Sequence, residues 1–160
     1  MTLKSVETKL EVPEYEDDKF IELSPEPNCK GKANEELFND ITKHFNENQT
    51  KKFLLNMSKV MTINSDFLAK IMELSLMLRP YQGRIAYWNP LPVVNEILTK
   101  TGTKYVFRVY DRQQRKEAEL YLSMPIDTLR ELSKQIGYDE ESPTSLMEVS
   151  AKVIEKLANR

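Results

Sequence analysis

The chain has 160 residues and a mass of 18.7 kDa, 40% of them hydrophobic and 30% charged, with a formal net charge of −2. That length suits one domain, and the apolar share supports a core, which excludes a wholly disordered chain. Four glycines, one cysteine and no apolar run near the ~20 residues of a membrane helix exclude collagen, disulfide-scaffold and membrane-spanning classes.

Charge is unevenly placed. Residues 1–50 carry six lysines against twelve acids, residues 79–116 eight cations against two acids, and residues 117–160 five against nine. Such an acid–base–acid layout marks either an electrostatic surface or a mosaic that folding disperses. No secretory signal opens the chain, and one thiol cannot form an intramolecular disulfide, so a cytoplasmic, reducing compartment is expected.

Residues 1–33 read as an extended acidic arm, and residues 34–160 as a single α+β domain. In the arm, 6–12 and 19–23 alternate as short strands do. Tyr15, Phe20, Ile21 and Leu23 among acids have the physical character of a partner-docking segment, with apolar anchors for affinity and charge for steering. Pro27, Asn28 and Gly31 place Cys29 in an exposed turn, where Lys30 and Lys32 favour a thiolate only weakly.

From Asn34, a candidate N-cap, Leu37, Phe38, Ile41 and Phe45 recur at helical spacing and predict a helix over 34–48. Phe53, Leu54, Met57 and Val60 predict a second helix over 51–60. Asn64, Ser65 and Asp66 start a third over 65–78, apolar around most of its circumference and therefore central. Residues 84–88 read as a short strand, and 93–100 fit either a strand or a helical turn.

The spacing over 104–124 predicts a β-hairpin with its loop at 112–115. Tyr105, Phe107 and Val109 then face Leu122, Leu120 and Ala118, and Arg108 faces Glu119. The expected architecture is thus N-terminal helices, a small antiparallel sheet built on this hairpin, and two C-terminal helices. Leu129, Leu132 and Ile136 stripe the first of these, ending at Gly137. Ser142-Pro143 opens the second, striped by Leu146, Val149, Val153 and Leu157.

The chemistry-bearing motifs are few. There is no glycine-rich phosphate loop and no metal-ligand spacing, so neither a metal nor a cofactor is expected. The single histidine, His44, sits on the first helix. Glu117 and Glu119, both on one strand face in the hairpin reading, are better explained by ion pairing than by a metal nuclease. The strongest hint is a basic-aromatic set: Arg79, Tyr81, Arg84, Tyr87, Trp88, Arg108, Tyr110, Arg112, Arg115 and Lys116. Rings that stack and cations that neutralise phosphate are what single-stranded nucleic acid requires. The leading expectation is a non-enzymatic accessory or regulatory protein that docks onto a larger protein or nucleoprotein machine. Alternatives are a nucleic-acid-binding protein using the basic-aromatic surface and a small metal-independent RNase.

Overall fold

The computed structural model describes residues 12, 14–102, 108–135, 153–155 and 157–158. The chain divides into two compact units, Asp18–Ser123 and Met1–Asp17 with Met124–Arg160. The first holds β1 (Ile21–Leu23), β2 (Asn28–Cys29), α1 (Lys32–Asn48), β3 (Lys52–Asn56), β4 (Thr62–Ile63), α2 (Ser65–Leu78), β5 (Arg84–Trp88), α3 (Pro92–Lys100), β6 (Arg108–Tyr110) and α4 (Arg115–Ser123). The second holds α5 (Ile126–Gln135) and the helical residues 153–155 and 157–158.

Four strands form one sheet in the order β1-β3-β5-β6, and every pairing is parallel. Ile21 lies opposite Phe53, Phe53 opposite Ile85, and Tyr87 opposite Val109. Parallel neighbours need crossovers, and α1, α2 and α3 supply them. All three helices pack on the face presented by the odd-numbered strand residues. There Phe53, Leu55, Ile85 and Tyr87 meet Leu37 and Ile41 of α1, Phe67, Ile71, Leu74 and Leu78 of α2, and Val94 and Leu98 of α3. The even-numbered face carries α4 instead: Leu54, Ala86 and Tyr110 pack with Ala118 and Leu122. A separate parallel pair, β2 with β4, adds Cys29 and Ile63 to the first core.

The sheet corrects the expected antiparallel hairpin, since no antiparallel pairing or hairpin occurs among the described residues. Arg108–Tyr110 is a strand, but its neighbour is β5, and residues 115–123 are helical. Ala118 and Leu122 share a face in both readings, because a four-residue spacing fits period 2 as well as period 3.6. What separates the two is the segment 111–114, read as a hairpin loop. The Asp111 side chain accepts from the N–H groups of Gln113 and Gln114, and the Gln114 side chain accepts from the Asp111 N–H. This capping box opens a 3-10 turn that runs into α4. Arg115 and Glu119 then pair one helical turn apart. Lys104, Tyr105 and Phe107 lie outside the described residues.

Three further expectations change. Residues 51–60 hold the central strand β3, not a helix. Phe53-Leu54-Leu55 is a continuous apolar run because both sheet faces are covered there. α1 begins after Gly31, which has φ 56°. Asn34 lies inside its first turn, buried, and donates to Asn64 and Asp66 at the start of α2. Cys29 is 2% exposed rather than in an open turn, and its thiol donates to the Glu26 carbonyl.

Other expectations keep their place. α2 spans Ser65–Leu78, with the Asn64 side chain accepting from the Phe67 N–H at 2.9 Å. The chain then turns back beneath it through Gly83. A Cβ there would stand 2.6 Å from the Leu78 Cβ and 2.7 Å from the Lys51 carbonyl oxygen. Ambiguous residues 93–100 are the helix α3. Leu129, Leu132, Val153 and Leu157 are buried, whereas Ile136, Gly137, Ser142, Pro143, Leu146 and Val149 lie outside the described residues. No helix among the described residues is long and apolar enough to cross a membrane.

Candidate functional site

Strand parity sorts the basic-aromatic residues. Lys52, Arg84, Trp88, Arg108 and Tyr110 share the even face, with Lys52 opposite Arg84, Ala86 opposite Arg108, and Trp88 opposite Tyr110. Tyr87 points the other way and is wholly buried in the first core. Arg79 and Tyr81 form an exposed 3-10 turn after α2, where the Tyr81 ring meets Phe45 edge-on at 5.1 Å. Arg112 and Lys116 are exposed at the start of α4. The ten residues therefore do not make one surface.

The even face is cationic and largely covered. Lys52 is 4% exposed and pairs with Asp18. Burial, then the positive charge of Arg84, brings its ammonium down to about 8. Arg84 donates to the Tyr121 carbonyl and stacks over the Tyr121 ring at 5.4 Å. Burial is also the main cause that raises the phenols of Tyr110 and Tyr121 above their ordinary value. At the other end of this face, Arg115 pairs with Glu22 and Glu119 and lies 4.7 Å over the Trp88 ring. The hydrogen bond from Arg115 holds the Glu22 carboxyl below its usual range.

The segment read as a docking arm is engaged inside this unit. Ile21 and Leu23 pair with β3 and pack on the first core, and Phe20 packs on the second. Asp18 and Glu22 hold Lys52 and Arg115. Tyr15 belongs to the other unit, where burial raises its phenol.

Among the described residues, Cys29, His44, Glu117 and Glu119 are not brought together. The Cys29 thiol is pushed up to about 11, chiefly by burial, so it stays protonated near neutrality. His44 contacts Asn48 within α1. Glu117 and Glu119 stand on a helix, two residues apart and so on different sides. Among the described residues no group of three His, Cys, Asp or Glu could hold a metal ion.

Exposed apolar side chains lie elsewhere on the molecule. Met61 is 59% exposed, Leu76 56% and Val93 53%. On α2, Leu68, Met72 and Leu76 lie four apart and form one stripe beside the buried Phe67, Ile71, Leu74 and Leu78. Lys70 lies over the Phe38 ring, which puts α1 on the opposite flank. On α3, Val93 and Ile97 lie four apart and share a flank. The sequence signal was present: a helix apolar around most of its circumference has more such surface than one sheet and one neighbour can cover.

No family model and no curated protein matches the sequence. Among solved structures, the chain is similar to the NMR structure of the protein TM1081, with a TM-score of 0.50 and 22% identity over 61% of this chain and 81% of that one. At that identity the likeness speaks for the fold alone.

Proposed function

We propose that this chain is a non-enzymatic accessory or regulatory protein. It docks through exposed apolar side chains of α2 and α3 onto an apolar surface of a larger protein, in a reducing, cytoplasmic setting. The supporting observation is that Met61, Leu76 and Val93 are each more than half exposed, with the partly buried Leu68 and Met72 on the helix of Leu76 and Ile97 on that of Val93. Exposed apolar side chains of this size are the surface that such docking would take out of water. Burying it yields roughly 25 cal/mol per Å² of apolar surface. The rings a nucleic-acid platform would use are mostly withdrawn: Tyr87 is fully covered, Tyr110 is 5% exposed, and Trp88 lies under Arg115.

Affinity capture with mass spectrometry, with and without nuclease, tests this reading. The expected outcome is a nuclease-resistant protein partner lost on Leu76→Asp with Val93→Asp but retained on Arg112→Glu with Lys116→Glu. Capture that depends on the basic residues, or that nuclease abolishes, would favour the nucleic-acid alternative instead.

A further inference from the structure

The cover that α4 places on the even sheet face rests on a small apolar contact and leaves polar atoms unpaired beneath it. The buried residues of α4 are Ala118 and Leu122, which pack with Leu54, Ala86 and Tyr110. On the opposite face α2 alone buries four side chains, Phe67, Ile71, Leu74 and Leu78. On the strands under α4, the Nε and Nη2 of Arg108, the Tyr110 hydroxyl and the Trp88 Nε1 have no solvent-accessible surface. None of these atoms has a hydrogen-bond partner among the described residues. Each therefore gives up water when the face is closed and receives nothing in return, the most costly kind of polar burial.

Much of what does fasten α4 is polar and lies at its two ends. At its start Arg115 pairs with Glu22 of β1 and lies over the Trp88 ring. The two side chains keep 32% and 35% of their surface in water, so solvent competes for this latch. At its end the Tyr121 carbonyl accepts from Arg84, and the Ser123 carbonyl accepts from the Asp18 N–H at 2.7 Å. The cap that starts the helix is local. It is made between Asp111 and Gln114, and Asp111, Arg112 and Gln113 are exposed, so lifting α4 from the sheet does not break it.

We infer that α4 is a hinged cover, a conformational device that turns about the 111–114 segment. It leaves the even face as a unit while β1, β3 and β5 stay folded against α1, α2 and α3. The lifted state returns water to the Arg108, Tyr110 and Trp88 donors at once, which offsets the loss of the Leu122 and Ala118 contacts. The basic-aromatic face is thus conditional, withdrawn when α4 is down and presented when it is up. The side chains of the proposed docking surface lie on helices of the other face, so the two readings stand or fall separately.

The test is native-state hydrogen exchange of the full chain, followed by NMR over urea concentrations too low to unfold it. Trp88 is the only tryptophan, so its indole N–H gives one assignable signal. The amides of residues 119–123 and the indole N–H are expected to exchange through one shared opening. That opening should be populated about tenfold or more above the one that releases the β3 amides, with a shallower dependence on urea. Tyr110→Phe removes an orphaned hydroxyl and should lower the shared opening about fivefold, whereas Arg115→Ala removes the latch and should raise it about fivefold. Fraying of α4 alone would free its amides and leave the indole N–H protected, and that result overturns the inference. So does exchange of α4 and β3 with the same urea slope, or a Tyr110→Phe variant in which α4 exchanges no more slowly. Should a variant fail to fold, the comparison of indole, α4 and β3 in wild type decides it.

Discussion

The two faces of the parallel sheet come from the same four strands and are built on different chemistry. Beneath α1, α2 and α3 the strand residues are Ile21, Leu23, Phe53, Leu55, Ile85, Tyr87 and Val109. Beneath α4 the apolar contribution shrinks to Leu54, Ala86, Tyr110 and the partly buried Trp88, and Lys52, Arg84, Arg108, Glu22 and Asn56 take the remaining positions. Alternation along a strand makes this division automatic. One face is held by area removed from water, the other by pairs of charges whose burial costs as much as their attraction returns. Stability is therefore concentrated on the three-helix face, and the polar and charged strand residues lie on the other.

Substitution can break or sharpen that contrast. The largest effect is expected from Phe53→Ala, which empties a fully buried position under the three helices and should cost about 3–5 kcal/mol in denaturant titration. An effect below that of the charged-face variants would refute the ranking. Next comes Asp18→Asn, which leaves the Lys52 ammonium without its carboxylate. The expected loss is about 1–2 kcal/mol, less than for a fully buried pair because the Asp18 side chain keeps 44% of its surface in water.

Arg115→Ala removes an ion pair to Glu22, another to Glu119 and the contact with Trp88, yet its side chain is 32% exposed. A loss of about 1 kcal/mol is expected, with a change in Trp88 fluorescence. Smallest is Arg112→Ala at the exposed start of α4, within about 0.5 kcal/mol of wild type.

Titration separates the faces by sign. Lys52 has a folded value near 8 against an ordinary 10.5, so between those pH values the unfolded chain binds the extra proton. Its burial therefore penalises folding fully below pH 8, and the penalty is relieved as pH rises from there. Cys29, near 11 against an ordinary 9.0, acts oppositely: its contribution is intact below pH 9 and is lost as pH rises toward 11. Between pH 8 and 9 wild type should gain stability relative to Lys52→Met in urea titrations. A flat difference across that window would show that Lys52 is not held in a covered site.

How far the sequence reached differs from element to element. α2 was legible to the residue because Asn64 is a cap by its side-chain chemistry and the apolar spacing is local. Most of α1 was legible for the same reason. β5 could be read from Arg84–Trp88, and the extended character of 19–23 is realised in β1. The site was less legible. Arg84, Trp88, Arg108 and Tyr110 of the basic-aromatic set share a face, but parity sends Tyr87 to the other side. Lys52 carries no sequence signal for this face, because its segment has apolar spacing that also fits a helix.

By itself, then, the sequence determined which segments have helical periodicity, where α2 begins, and that the cations of the middle third lie close along the chain. Only the tertiary structure decided that β3 is a strand, that 115–123 is a helix, and that every pairing is parallel. The physical reason is that a short apolar run, or a pair of apolar residues four apart, satisfies two periods equally well. The choice between them is made by what covers the second face: for Phe53-Leu54-Leu55 it is α4, contributed by residues more than sixty positions away.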